Sequence, residues 1–381
     1  MELRIAQLAN FVGPTSGGMK IAIDQLARGY RAGGAQRLLV VPGSTDDWIE
    51  TELGWVVTVA APTVSGGYRM IVDPRPVLRA LEAFGPTSLE VSDKTTLLAV
   101  TVAAKRRGIP TVLFSHERLD AMLSLRVGLG TGLSRSLRHP LRWFNGRLAR
   151  VYDEIVVTSA YAAGEFSGLA AVDATRLHRV PLGVDLETFA PLDEAVRADI
   201  PRDGLLRLVH AGRLSREKEP HLSLKVLRAL HRRGVPVHLD VYGEGPMRGE
   251  LEALAAGLPV IFHGHVAGRG AIARRLGEAD VSLSLCAGET FGLAVLEALA
   301  CGTPVVTADR GGARELVDDT SGGWAAADDP EALADAVLRV AERPEAQRRL
   351  AARARAERYP WAAPVERMLA LHRELATRPR D

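Results

Sequence analysis

Short apolar runs alternate along this chain with longer stretches in which apolar residues recur every three or four positions. Residues 3–8 (LRIAQL) read as a buried strand, and residues 17–31 as an amphipathic helix entered through a glycine-rich loop. Residues 37–41 form the next strand, closed by Pro42-Gly43; helices follow over 77–84 and 97–107, and strands over 111–115 and 154–158. The segment VPLGVDLETFAPL, residues 180–192, carries two prolines and a glycine and breaks the pattern as a linker. The alternation then restarts. Strands are predicted over 206–211, 237–242, 260–263, 281–286 and 305–308, and helices over 220–232, 247–255, 271–277 and 293–301. The tail, 330–375, is helical by its periodicity and rich in Ala, Arg and Glu.

Strands and helices that alternate with short loops imply parallel sheets covered by helices on both faces. A chain that runs this programme twice is expected to fold as two Rossmann-like α/β domains facing across a cleft. The expected division is 1–180, a linker at 181–200, 201–360, and a C-terminal helix at 361–381 packing back on the first domain. Ligands of such sheets bind beyond the carboxyl ends of the strands, so the loops there hold the candidate chemistry.

Composition narrows the function classes. At 381 residues with net charge +2, the molecule is no polycation, and a general nucleic-acid binder is excluded. The two cysteines, Cys286 and Cys301, lie in the apolar strings SLSLC and EALAC, which is neither a disulfide framework nor a metal-ligand spacing. The opening MELRIAQLAN lacks a basic start followed by an apolar run, and no stretch reaches the roughly 18 apolar residues of a membrane span. These features predict a cytosolic chain that is able to touch a membrane from that side.

The most informative stretch is CAGETFGLAVLEALACGTPVV, residues 286–306. A strand ends, a short loop carries Glu289-Thr290, and a helix starts near Phe291-Gly292. Unpaired backbone N–H groups and the helix dipole make such a start an anion site, and Gly292 lets a ligand approach the backbone. Glu289 and Glu297 are eight residues apart, so both can face one pocket, where carboxylates accept hydroxyl hydrogen bonds. The bland alternative is a helix-start acid and an exposed glutamate, although Glu297 interrupts an otherwise apolar LAVLEALA helix. In HAGRLSREKEP (210–220), Arg213 and Lys218 flank a turn freed by Gly212; a planar guanidinium and a point charge there suit a pyrophosphate, or else form a solvated charge cluster with Arg216, Glu217 and Glu219. Gly17-Gly18, in NFVGPTSGGMK, precede a helix, as phosphate or sugar contacts do, and as plain turns do. His116, in FSHERLD, stands at a strand's carboxyl end.

Taken together, these residues resemble the retaining glycosyltransferases of family four, which have the GT-B fold. The resemblance rests on Glu289 and Glu297 with Phe291-Gly292-Leu293 between them, the phrase VPLGVDLETFAP, GRL followed by Lys218, and GEGP at 243–246. It implies that Glu297 binds the nucleotide ribose and that Arg213 and Lys218 hold the diphosphate. It further implies that Glu289, Thr290 and the backbone of Phe291, Gly292 and Leu293 hold the donor sugar and distal phosphate. Gly17 and Gly18 would approach the phosphate, His116 the donor sugar, and His265-Val266 the base. Three positions depart from the pattern: Glu117 follows His116 in place of the usual aspartate, Glu219 replaces a common glycine, and Gly268 stands where some guanine-binding relatives have aspartate. More narrowly, NFVGPTSGGMK, LEVSDKTTL, SHERLD and VPLGVDLETF are similar to actinobacterial mannosyltransferases that build phosphatidylinositol mannosides. That resemblance implies GDP-mannose as donor and a phosphatidylinositol mannoside or related membrane glycolipid as acceptor.

No Asp-x-Asp motif is present to hold a divalent ion on a diphosphate, so no metal and no further cofactor are expected. Residues 118–150 hold seven arginines and one acid, Asp120, interleaved with Leu123, Leu125, Leu129, Leu133, Leu137, Leu141, Trp143 and Phe144. Basic and apolar residues with tryptophan suit an anionic membrane surface, here the inner face of the plasma membrane; a solvated helix pair packed on the first domain is the alternative. Rival functions are an α-glucosyl or N-acetylglucosaminyl transferase using a UDP- or ADP-sugar with a soluble acceptor, and a non-catalytic sugar-nucleotide sensor.

Overall fold

The computed structural model describes residues 2–10, 12, 17–64, 68–119, 135–201 and 203–378. These form two compact units. The first comprises Met1–Leu119, Ser134–Leu182 and Trp361–Asp381; the second is built on Gly183–Pro360.

The first unit holds strands β1 (Arg4–Leu8), β2 (Gln36–Gly43), β3 (Asp47–Thr51), β4 (Gly54–Ala60), β5 (Ser88–Val91), β6 (Thr111–Ser115), β7 (Glu154–Val157) and β8 (Leu177–Arg179). They lie in the order β3-β4-β2-β1-β5-β6-β7-β8. Every pair is parallel except the β3–β4 hairpin. Helices α1 (Gly18–Ala32), α2 (Pro74–Phe84), α3 (Leu98–Arg106), α4 (Arg135–Ala149) and α5 (Ala160–Ala163) connect them. β5, β6 and β7 are buried along their whole length, as parallel strands covered on both faces must be. α2 illustrates the local logic: Asp73 accepts the Arg75 N–H at 3.0 Å, Pro74 sits in the first turn, and Gly85 closes the helix in the left-handed region.

The second unit is a six-stranded parallel sheet: β9 (Leu206–Ala211), β10 (Val237–Tyr242), β11 (Val260–Gly264), β12 (Val281–Ser284), β13 (Val305–Ala308) and β14 (Gly322–Ala325). Its order is β11-β10-β9-β12-β13-β14. Strand order reverses between β9 and β12, and this is where an open α/β sheet opens a crevice for ligands. Around it run α6 (Glu194–Ala198), α7 (His221–Arg232), α8 (Arg248–Leu254), α9 (Arg269–Glu278), α10 (Leu293–Ala300), α11 (Gly312–Glu315), α12 (Pro330–Ala341) and α13 (Glu345–Ala356). The last helix, α14 (Ala362–Thr377), belongs to the first unit.

α14 is fastened by polar groups as well as by apolar packing. His372 is fully buried; its Nδ1 lies 2.8 Å from Ser88 Oγ and its Nε2 3.1 Å from Glu90 Oε2. Glu90 also accepts from Tyr30 Oη at 2.7 Å and Gln7 Nε2 at 2.8 Å. Burial pushes the Glu90 carboxyl up, but these partners, His372 foremost, outweigh it and hold the group below its ordinary value.

The α/β alternation expected from the sequence is present in both units. The structure adds the short strands β3, β4, β5, β8 and β14, and it divides the helical tail into α12, α13 and α14. The strand expected over 281–286 ends at Ser284, so Leu285 and Cys286 enter the loop beyond it.

Candidate active site

In the second unit, two loops meet where the strand order reverses. The first leaves β9 through Gly212 and Arg213 and forms a short 3-10 turn, Arg216–Lys218. It is seated by the end of β10 and the turn after it: the Gly212 N–H donates to the Tyr242 carbonyl at 2.9 Å, and the Leu214 N–H to that of Glu244 at 2.9 Å. Gly243, with φ +141°, is what permits this approach, since a Cβ there would lie 1.8 Å from the Gly212 carbonyl oxygen. Glu219 then takes φ +48°, the one non-glycine residue with positive φ among those described. The position where the family resemblance implies glycine thus has a glycine-like backbone here.

The second loop runs from β12 to α10 and is tied to the first by side chains. Lys218 Nζ donates to Glu289 Oε2 at 2.5 Å, Cys286 Sγ to the Glu217 carbonyl at 3.0 Å, and the Ala287 N–H to Glu219 Oε2 at 3.3 Å. Arg213 pairs with Glu217 at 2.9 Å. Gly292, φ +105°, turns the chain into α10, and a Cβ there would press on Ala313 at 3.1 Å. Phe291 is buried beneath the turn.

Burial alone raises the Glu289 carboxyl and lowers the Lys218 amine. Their mutual attraction reverses both shifts: Glu289 titrates below, and Lys218 above, its ordinary value. The backbone N–H groups of Phe291 and Thr290 add to the hold on Glu289. Lys218 and the N–H groups of Phe291 and Thr290 therefore already serve a carboxylate.

Glu297 projects from α10 and contrasts with Glu289. Its Oε1 lies 3.3 Å from Arg269 NH2, yet burial, with Asp185 nearby, pushes its carboxyl up to about 7. Arg269 opens α9 after Gly268 and stacks 4.8 Å above the Phe189 ring. Neither Arg269 nor Asp185 was expected at the site; each lies in a stretch, HVAGRG or GVDLETF, whose neighbours were singled out. His265 and Val266 occupy the loop after β11 that leads to Arg269, His265 exposed and Val266 half-buried. The structure thus gathers Arg213, Lys218, Glu289, Thr290, Phe291, Gly292, Leu293 and Glu297 around the carboxyl ends of the central strands β9 and β12.

Gly17, Gly18 and His116 lie in the first unit, also at carboxyl ends of strands. Gly17 and Gly18 are exposed at the start of α1; Phe11 and residues 13–16 of the same loop lie outside the described residues. His116 stacks on Phe114 with ring centroids 4.6 Å apart. Burial, with Lys94 adding to it, pulls its imidazole down to about 4, so it is neutral near pH 7. Among the described residues, no group of three His, Cys, Asp or Glu side chains is arranged to hold a metal ion.

Comparison with known proteins agrees with this layout. The family described as "Glycosyl transferases group 1" matches residues 194–357, and "Glycosyl transferase 4-like domain" matches residues 17–183. A Mycobacterium tuberculosis protein named GDP-mannose-dependent alpha-(1-6)-phosphatidylinositol dimannoside mannosyltransferase is 41% identical over 375 residues, covering 97% of this chain and 95% of that one. The chain belongs to the group 1 glycosyltransferases. A D-inositol 3-phosphate glycosyltransferase of Saccharomonospora viridis is 37% identical over 58% of this chain and 56% of its own. Among solved structures, sucrose-phosphate synthase from Thermosynechococcus elongatus superposes with a TM-score of 0.79 at 20% identity, covering 98% of this chain and 99% of that one. At that identity it establishes the GT-B fold of this glycosyltransferase and no more.

Proposed function

We propose that this glycosyltransferase moves mannose from GDP-mannose to a phosphatidylinositol mannoside or related membrane glycolipid, with retention at the anomeric carbon and without a metal ion. The observation that carries the reading is the 2.5 Å pair Lys218–Glu289 at the turn that opens α10, in a chain 41% identical to the mycobacterial mannosyltransferase over nearly its full length. Lys218 and Arg213 offset the diphosphate charge that a metal would otherwise neutralise. Glu297 accepts the ribose hydroxyls. Glu289 orients the sugar, with Thr290, Phe291, Gly292 and Leu293 forming the rest of its cradle. His265 and Val266 border the base; the family resemblance gives Gly17 and Gly18 a phosphate contact and His116 a place near the donor sugar.

In the proposed reaction the acceptor hydroxyl attacks C1 from the face the diphosphate leaves. The bond from C1 to the phosphate oxygen breaks as the new glycosidic bond forms, and the departing phosphate oxygen takes the acceptor proton. The protein contributes positioning and charge stabilisation.

Contact with the inner face of an anionic membrane is part of the proposal, and α4 supports it. Trp143 is 65% exposed, Phe144 is exposed beside it, and Arg142, Arg147 and Arg150 are exposed near them. The Arg147 guanidinium lies 5.0 Å from the Trp143 ring centre. Leu123, Leu125, Arg126, Leu129 and Leu133 of the basic stretch lie outside the described residues. No helix among those described is long and apolar enough to cross a membrane. The test is a panel of labelled sugar nucleotides incubated with native membrane extract, following label into lipid. Turnover separates an enzyme from a sensor, and label in a soluble product separates the glucosyl or N-acetylglucosaminyl alternative.

A further inference from the structure

Lys94 and Glu165 form an ion pair deep in the first unit, with side chains 6% and 1% exposed. Lys94 lies in the loop after β5, and Glu165 just beyond α5. Burying two charges is costly, and an apolar pair of similar volume often holds a core equally well. What distinguishes this pair is where its remaining bonds go. Lys94 Nζ donates to the Glu117 carbonyl as well as to Glu165 Oε2. Glu165 Oε1 accepts the Leu119 N–H at 2.8 Å and Asn145 Nδ2 of α4 at 3.4 Å. The backbone immediately after His116 is therefore gripped by the cation at residue 117 and by the anion at residue 119. On the other side, His116 is stacked on Phe114, a fully buried strand residue.

We propose that Lys94 and Glu165 are positioning residues for glycosyl transfer, which set the place of His116 by clamping the loop that follows it. The proposal rests on the reading that His116 lies near the transferred sugar. Neither residue need touch substrate. Asn145 joins the clamp to α4, so the helix assigned to the membrane and the His116 loop share one anchor, the Glu165 carboxylate.

The test replaces both charges at once, Lys94→Met with Glu165→Leu, so that no unpaired charge stays buried. The first readout needs no activity: amide hydrogen exchange over residues 117–119 should rise by about tenfold or more, with exchange in the second unit unchanged. Guanosine diphosphate affinity should stay within about twofold, because its proposed contacts lie in the second unit. With GDP-mannose and lipid acceptor, kcat should fall by about tenfold or more while the donor KM changes little. Introduced into a His116→Ala background, the same double change should cost less than about threefold further, because the two act as one unit.

Unchanged exchange at 117–119 overturns the clamp. An undiminished kcat, or a loss that multiplies in full on top of His116→Ala, overturns its role in transfer. A double variant that fails to fold also overturns it, since the pair would then be a prop of the fold. The two failures are distinguishable: a wild type inert toward every sugar nucleotide counts against the proposed function, whereas an active wild type, an impaired His116→Ala and a fully active pair variant count against the positioning role alone.

Discussion

Lys218 Nζ meets Glu289 Oε2 at 2.5 Å, which joins the loop after β9 to the loop before α10. In the proposed roles the cation binds the diphosphate and the carboxylate binds the sugar. A substitution at either end should therefore separate binding from turnover.

Lys218→Ala should weaken binding of guanosine diphosphate by about tenfold or more, since a charge-assisted bond contributes roughly 1.5–3 kcal/mol. Glu289→Gln keeps the size and removes the charge; kcat should fall by about 100-fold or more with nucleotide affinity within about threefold. Calorimetry and steady-state rates on the two variants check this, and a crossed pattern would mean that the two roles are interchanged.

Glu297 gives a pH signature. Its carboxyl is raised to about 7 by burial, so the protonated form prevails below that value. Folding favours the protonated group; the stability it contributes is present in full below the ordinary carboxylate pKa and is lost as pH rises toward 7. Ribose hydroxyls donate to the ionised form. Nucleotide affinity should accordingly climb between pH 6 and pH 8 by more in wild type than in Glu297→Gln, which has no carboxyl to titrate. Titrations across that range decide it; parallel curves would remove Glu297 from the ribose.

Glu219 holds φ +48° and its carboxylate accepts from Ala287 N–H. Glycine and valine both lose that bond, but only valine must strain to adopt the backbone. Glu219→Gly should be more stable than Glu219→Val by about 1–2 kcal/mol, measured by denaturant unfolding. Equal stabilities would show that the left-handed turn relaxes without cost.

Glu90, held below its ordinary value by His372, Tyr30 and Gln7, stabilises the first unit above the ordinary carboxylate pKa and loses that contribution as pH falls through its own lower one. Glu90→Gln should cost roughly 1.5–3 kcal/mol near pH 7 and flatten the acid limb of the stability profile. A variant that loses stability in parallel with wild type on acidification would contradict this.

Much of the fold was legible because its signal is local. Runs such as TVLFS at 111–115 and RLVHA at 207–211 are short, apolar and bounded by turn residues, as buried parallel strands require. β3 is not legible because DWIET shows neither an apolar run nor a strict alternation, and this edge strand leaves even Trp48 and Ile49 exposed. At the site, Glu289 and Lys218 were legible from motif and placement, but their contact spans 71 positions and needs the reversal of strand order to form. Arg269 and Asp185 were not legible. They act on Glu297 through burial and charge, and these depend on how α9 and the 183–192 segment pack. The Lys94–Glu165 clamp lay hidden for the same reason: LEVSDKTTL shows a lysine, but not the anion 71 residues away.

The most direct test of the account is transfer itself. Purified protein, excess chelator, metal-free labelled GDP-mannose and vesicles containing a phosphatidylinositol mannoside are combined, and the lipid product is analysed for added mannose and for its anomeric configuration. Label is expected in the lipid, in α-linkage, at a rate that magnesium or manganese does not increase. Transfer from a UDP- or ADP-sugar instead, a β-linked product, or a reaction that stops with chelator and returns with metal would contradict it.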